Sequence, residues 1–177
     1  NVISGQTELA VAPASTDELL ISDAGVLKRI DVSLISGANT PAFAATQANT
    51  GLSAGGDSKI AYATEIFDTD SAYNTSDGLF TVPSGEGGRY AFNFSTRLTN
   101  WNTSQVQIYL LIDGSTDQLL FENGDQHGDN NSFAQSGVVN LSAGNTVGVY
   151  FYQNGGNGGV LRSGENNSFF SGYKIIE

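Results

Sequence analysis

The chain has 177 residues, 39% of them hydrophobic, enough for one sizeable core, and 18 acidic against 7 basic residues for a formal net charge of −11. That charge repels phosphate backbones and anionic membrane surfaces and sets the chain against nucleic acid as a partner, while no apolar run approaches the roughly 20 residues of a membrane helix, so no membrane insertion is expected. Cysteine is absent, which removes any disulfide framework, cysteine–zinc site or thiol nucleophile and leaves stability to packing or assembly.

No charged-then-apolar leader opens the sequence and methionine is missing altogether, so a soluble segment of a longer chain is expected. Gly, Asn, Ser and Thr abound while Lys and Glu are few, a composition of turns and strands, and an all-β fold follows. Residues 1–40 differ from the rest. In "DELLISDAGVLKRIDVSLIS" the apolar run Leu19–Ile21 precedes the turn-like Asp23-Ala24-Gly25, after which Lys28, Ile30, Val32 and Leu34 alternate with Arg29, Asp31 and Ser33. This predicts a β-hairpin, and because a lone two-stranded hairpin is marginal in water, it needs a further surface over its apolar side. That surface is either the rest of the chain or symmetry copies. The Gly, Asn and Pro of "SGANTP" (36–41) read as a linker.

From residue 41, strand-like segments arrive at the short spacing of a sandwich or barrel: 42–48, 58–68, 78–82, 88–98, 105–113, 118–122, 133–141, 146–153 and 168–176. Alternation places Tyr90, Phe92 and Phe94 in the core opposite Ala91, Asn93 and Ser95, and Val106, Ile108, Leu110 and Ile112 in the core opposite Gln107, Tyr109 and Leu111. The second faces carry large residues too. Tyr109 and Leu111, with Tyr150 and Tyr152 opposite Val147, Val149 and Phe151, put apolar area where a monomeric sandwich would be wet, which points to a subunit interface. The alternative is that both faces are covered within one chain.

"PAFAATQA", "IFDTDSAYNTSDGLFTVPSGEGGRYAFNFS" and the closing "NNSFFSGYKII" resemble the complement C1q-like globular domain of the C1q and tumour necrosis factor superfamily. The residues that carry the resemblance are an early Ala-Phe strand, Tyr73-Asn74 followed by Gly78-x-Phe80-Thr81-x-Pro83, Gly88-x-Tyr90-x-Phe92, and Phe170-Ser171-Gly172-Tyr173, over about residues 41–177. It implies a C1q/TNF-like jelly-roll β-sandwich of about ten strands, assembled as a homotrimer with its termini together at one end. Absence of the cysteine often found in animal members, and "SGEGG" in place of a shorter Pro-Gly turn, argue against an animal complement-type protein. Residues 6–35 resemble short segments in tail-fibre and structural proteins of bacterial viruses, marine cyanophage-like ones among them.

If both ends of the head sit at a stalk, antiparallel alternation puts segments 99–104, 123–132 and 154–167 at the far end and the tight connections 114–117 and 142–145 at the near end. The far-end loops are long and polar, and they hold Trp101, Asn102, Asp125, His127, Asp129, Asn130, Asn157 and Arg162, including the chain's one tryptophan and one histidine. Long loops on a rigid sheet scaffold are where recognition residues sit, so these eight are the candidate ligand-binding set. "DQHGDNN" also offers Asp125 and Asp129 as oxygen ligands for calcium, without the spacing or terminal Glu of an EF-hand; no cofactor is required by the fold. His127 beside two aspartates has no nucleophile motif to serve, and a Glu122/Asp129 glycosidase pair depends on a separation that sequence does not state, so no enzyme is expected. Trp101 either stacks on a sugar ring or caps the barrel end. The reading is a homotrimeric viral tail-fibre tip, extracellular on the virion, that attaches to a host cell-surface receptor or glycan and joins other fibre proteins through its N-terminal part. The alternatives are a trimerisation or capping module that binds nothing, and a bacterial surface filament.

Overall fold

A computed structural model of the chain describes residues 11, 13–14, 16–32, 38–46, 50–51, 56–99, 101–128, 131–154, 160–161 and 168–175. It forms two compact units, Asn1–Ala38 and Asn39–Glu177. In the first, β1 (Glu18–Asp23) and β2 (Val26–Asp31) pair antiparallel from Asp23↔Val26 to Glu18↔Asp31. Ala24 and Gly25 turn between them with φ of 50° and 82°, the two successive positive values of the tight turn whose twist matches that of the strands. Two cross-strand ion pairs decorate the hairpin, Lys28 with Asp23 and Arg29 Nε with Glu18 Oε1 at 3.0 Å. All four side chains are wet, so the pairs contribute little to stability.

The second unit follows the chain through β3 (Ala42–Thr46), β4 (Thr50–Gly51), β5 (Gly56–Ile60), β6 (Thr64–Asp68), β7 (Tyr73–Asn74), β8 (Leu79–Thr81), β9 (Gly88–Thr99), β10 (Trp101–Ile112), β11 (Thr116–Gly128), β12 (Asn131–Leu141), β13 (Thr146–Gln153), β14 (Val160–Leu161) and β15 (Phe169–Lys174). Two antiparallel sheets result. One runs β11-β10-β13-β8-β7, with β5 taking over from β8 along the outer half of β13; the other runs β4-β14-β9-β15-β3-β6, with β12 on the free side of β9. Among the described residues there is no helix, and none long and apolar enough to cross a membrane.

Alternation decides which side chains meet between the sheets. Tyr90, Phe92 and Phe94 from β9, Val106, Ile108 and Leu110 from β10, and Val147, Val149 and Phe151 from β13 are all essentially inaccessible to water, as the period-two pattern predicts. At the centre lies an aromatic cluster that spans both layers. Phe43 of β3 stacks on Tyr73 of β7 (ring centroids 4.7 Å apart) and Phe80 of β8 (5.1 Å), and meets Phe170 of β15 edge-on at 4.9 Å; Phe92 stacks on Phe170 at 5.9 Å. Gly172 makes this fit possible: a Cβ there would come within 2.5 Å of the Phe92 ring. Gly78 is held as tightly, at φ 72°, where a Cβ would lie 2.7 Å from the carbonyl oxygen of Ile60.

The run 58–68, expected as one strand, is two strands in different sheets. The chain crosses the sandwich at 61–63, and Tyr62 is buried at the crossing, its hydroxyl 2.8 Å from Thr96 Oγ1 while its backbone N–H donates to the Tyr73 hydroxyl at 3.2 Å. The apolar residues on either side satisfy the alternation of a single strand, and only the change of partner reveals the break. Segments 99–104 and 123–132, expected as loops, are largely strand. The ladder of β10 and β11 continues past Val106, which pairs with the last residue of β13, as far as Trp101↔Gly128. A ribbon beyond the packed part of the sheet needs no apolar alternation, so its Asn, Gln, Asp and Gly residues disguise it. The described part of 133–141 likewise begins two residues earlier, at Asn131.

Both chain ends of the second unit lie together. Tyr173 pairs with Ala42, the Lys174 N–H donates to the Pro41 carbonyl at 3.0 Å, and Ile175 N–H to the Arg89 carbonyl at 2.8 Å. Lys174 Nζ and Glu86 Oε2 close the same end with an ion pair at 2.9 Å. The turns after β10 and β12 are also here, tied by Asp113, whose carboxylate accepts from the Thr146 N–H and the Asn145 side chain at 2.7 Å each.

Gly172→Ala is expected to cost about 1–3 kcal/mol in chemical denaturation, the range for overpacking a close-packed core, whereas Ser84→Ala in an exposed turn should stay within about 0.5 kcal/mol. Burial raises the phenols of Tyr62 and Tyr73, and raises Tyr90 to about 12 with Glu86 and Asp70 adding to it. A phenol with a raised folded pKa keeps its proton longer in the native state. Its stabilisation is therefore complete below the unfolded value of 10.0 and is lost as pH rises through the folded value. Thermal unfolding should be insensitive to these groups at neutral pH and fall steeply above pH about 10, with tyrosinate absorbance appearing together with unfolding; tyrosinate formation without loss of fold would contradict this.

Candidate functional site

Four of the eight expected recognition residues, Trp101, Asn102, Asp125 and His127, lie at the end of the head opposite its termini. β9 has 12 residues and carries the chain about 35–40 Å from the terminal end. Trp101 and Asn102 then open β10, and Asp125 and His127 lie in the last turn-free stretch of β11. Register brings two of them together, since Asn102 pairs with His127 and Trp101 with Gly128. Asp129, Asn130, Asn157 and Arg162 lie outside the described residues. Of the two aspartates expected as calcium ligands, only Asp125 is therefore placed, and among the described residues no group of three His, Cys, Asp or Glu side chains is arranged to hold a metal ion.

The core beneath this end changes character. Thr46, Thr96, Thr99, Gln153 and Ser168 are buried there, in contrast to the aromatic packing nearer the termini. Their hydrogen bonds stitch strand ends together: Thr46 Oγ1 donates to the Ser168 carbonyl at 2.8 Å and the Arg97 N–H to Ser168 Oγ at 3.1 Å. Buried polar groups satisfied this way fix the strand ends from which the outer segments emerge.

The expected interface residues lie elsewhere, on the outer face of the β10–β13 sheet. Tyr109 and Tyr150 are directly opposite in register and stack at 6.1 Å, and the Tyr109 hydroxyl donates to Asp57 Oδ1 on β5. Tyr109 is only 6% exposed within its own chain, and Leu111, Tyr150 and Tyr152 are half-buried. Burial, with Asp77 adding, pushes the Tyr150 phenol up. Strand β5, which the sequence pattern merges with β6, lies beside β13 in the same sheet and sends Asp57 to the Tyr109 hydroxyl.

Among the described residues, the exposed large apolar ones of the head are on the other sheet: Ile66 (51%), Phe67 (48%), Val138 (57%) and Tyr173 (40%). Val138, Ala91 and Tyr173 form one cross-strand row over β12, β9 and β15, and Ser136, Asn93, Ser171, Ala44 and Phe67 form the next. Beside these rows is a shallow depression of about 280 Å³ lined by Asn93, Phe94, Ala134, Gln135, Ser136 and Phe169. Sequence reasoning missed this face. Its signal was the small outer set of β9, Ala91, Asn93 and Ser95, which leaves room above a central strand for a neighbour.

A model of the C1q domain matches residues 42–175, and the chain belongs to that family. Members of the family commonly form trimers and bind ligands, and are generally non-enzymatic and extracellular. Among solved structures, the globular domain of zebrafish complement 1qA is similar at a TM-score of 0.54 and 17% identity, covering 78% of this chain and 99% of that one. Murine APRIL is similar at 0.57 and 11% identity, covering 76% and 99%. Eiger TNF from S. frugiperda is similar at 0.56 and 13%, covering 77% and 92%. At these identities the likeness shows the fold, a jelly roll of the C1q/TNF kind. No curated protein sequence matches the chain.

Tyr109→Phe removes the donor to Asp57 and should lower stability by about 1 kcal/mol in denaturant titration, with Asp57→Asn partly retaining the contact. Equal losses from both substitutions would show that the contact requires the carboxylate and that an amide oxygen does not replace it.

Proposed function

We propose that the chain is the homotrimeric tip of an extracellular fibre of the viral tail-fibre type, and that it attaches to a host cell surface, with a polysaccharide as the ligand class. The observation that carries this reading is the position of the β10–β11 ribbon at the end remote from the termini, where Trp101 and the Asn102–His127 pair would be presented outward while the stalk attaches at the other end. Tryptophan, asparagine and histidine are residue types that suit a sugar, whose C–H face stacks on an aromatic ring and whose hydroxyls pair with amide and imidazole groups. The N-terminal unit, which is separate from the head and similar to fibre segments, supports a place in a longer assembly. In this reading no catalysis occurs at the tip.

Trimer contact would use the face bearing Val138, Tyr173 and Phe67, with its small partners Ala91 and Ala44, because that is where the head leaves apolar area to water. Three copies carry three times −11, or −33, so apolar burial at the axis has to offset self-repulsion, and cations, calcium among them, would help. Three linked sites raise avidity without a strong individual contact.

Sedimentation and adsorption to host cells test both parts together. The native chain should sediment as a trimer at micromolar concentration, and Val138→Asp, which places an unpaired charge in the contact, should shift it to monomer. Trp101→Ala with His127→Ala should leave the trimer intact and reduce adsorption at least tenfold. A monomeric native chain sinks the assembly, and unchanged adsorption of the trimeric double variant sinks the tip.

A further inference from the structure

Among the described residues, the N-terminal hairpin holds five of the ten exposed large apolar side chains, Leu19, Leu20, Ile21, Val26 and Leu27, and its register sorts them onto two unequal faces. Leu19, Ile21, Val26 and Ile30 share one face with Lys28 and Asp23, since Leu19 pairs with Ile30, Ile21 with Lys28 and Asp23 with Val26. Leu19, Ile21 and Val26 are 49%, 38% and 58% exposed. The opposite face holds only Leu20 and Leu27, set among Glu18, Ser22, Arg29 and Asp31. We infer that the Leu19, Ile21, Val26 and Ile30 face packs against the same face of two further copies of this chain, forming a three-fold bundle of hairpins below the heads. The inference rests on the trimeric reading of the head and extends it to a second, independent contact between the same copies.

Three features favour copies of the chain as the occupant. A two-stranded hairpin with an open apolar face does not persist in water alone, so something covers it. Charge permits self-association here: the only charged groups on this face, Lys28 and Asp23, pair with each other within one hairpin, so copies meeting face to face bring no unmatched charge. The hairpin as a whole holds three acids (Glu18, Asp23, Asp31) and two bases (Lys28, Arg29), a net −1 within a chain of −11, so copies repel only weakly through this segment. Finally, residues 32–41 tether each hairpin to Ala42, a span of at most about 35 Å. Ala42 sits at the terminal end of the head, so three heads in a trimer would start three hairpins from one end at an effective concentration on the order of millimolar.

The chain has no cysteine, so a single introduced thiol reports on one position only. Full-length Ile21→Cys and Leu20→Cys, each verified as trimeric by sedimentation, would be oxidised under mild conditions and run on non-reducing gels. The expected result is a covalent dimer in high yield for Ile21→Cys and at least a tenfold slower reaction for Leu20→Cys. Equal rates would mean that the hairpins collide without packing, and no dimer from either would mean that something other than its copies covers the face; each overturns the inference while leaving the trimeric head standing. If sedimentation instead gives a monomer, the head reading falls first and the hairpin bundle with it.

Discussion

The stack of Phe43 on Tyr73 and Phe80, closed by Phe92 and Phe170, is the contact on which the rest of this structure depends. It draws on five strands from both sheets, so it sets the spacing of the layers and the order of the strands together. Aromatic rings bury more area than aliphatic side chains and add preferred stacked or edge-on geometry, so a cluster of them tolerates few alternative arrangements. Gly172 and Gly78 are the complements of that cluster, one yielding space to a ring and the other letting the chain pass close to Ile60. The residues through which this chain resembles its family are largely these, and they lie at the packing centre of a fold shared with structures of 11–17% identity.

From that centre the core is graded along the strands. Near the termini it is aromatic and closed by the Lys174–Glu86 ion pair and tight turns; toward the far end buried threonine, serine and glutamine take over, with Thr46 and Ser168 tied into backbone hydrogen bonds. The two outer faces are likewise unequal. On the β10–β13 face Tyr109 stacks on Tyr150 and bonds to Asp57, and the β9–β12–β15 face is left with small residues and a few exposed apolar ones.

What the sequence determined by itself was whatever depends on local periodicity. The all-β class, the hairpin with its Ala24-Gly25 turn, the inward sets of β9, β10 and β13, and the placement of Trp101 and His127 away from the termini all follow from alternation, turn chemistry and antiparallel counting. Recognition of the C1q-like pattern added the jelly roll. Tertiary structure decided what periodicity cannot express. The alternation over 58–68 hides the passage of the chain from one sheet to the other at Tyr62: Ile60 and Tyr62 are buried, while Ile66, in step with them, is exposed on β6. A polar run such as 123–128 forms strand because β10 offers it a ladder, and hydrogen bonds to a partner leave no mark in hydrophobicity. Which tyrosines remain at the surface was equally out of reach: Tyr109 and Tyr173 are both outward-facing in their strands, yet Tyr109 is buried against Tyr150 and bonded to Asp57 while Tyr173 is 40% exposed.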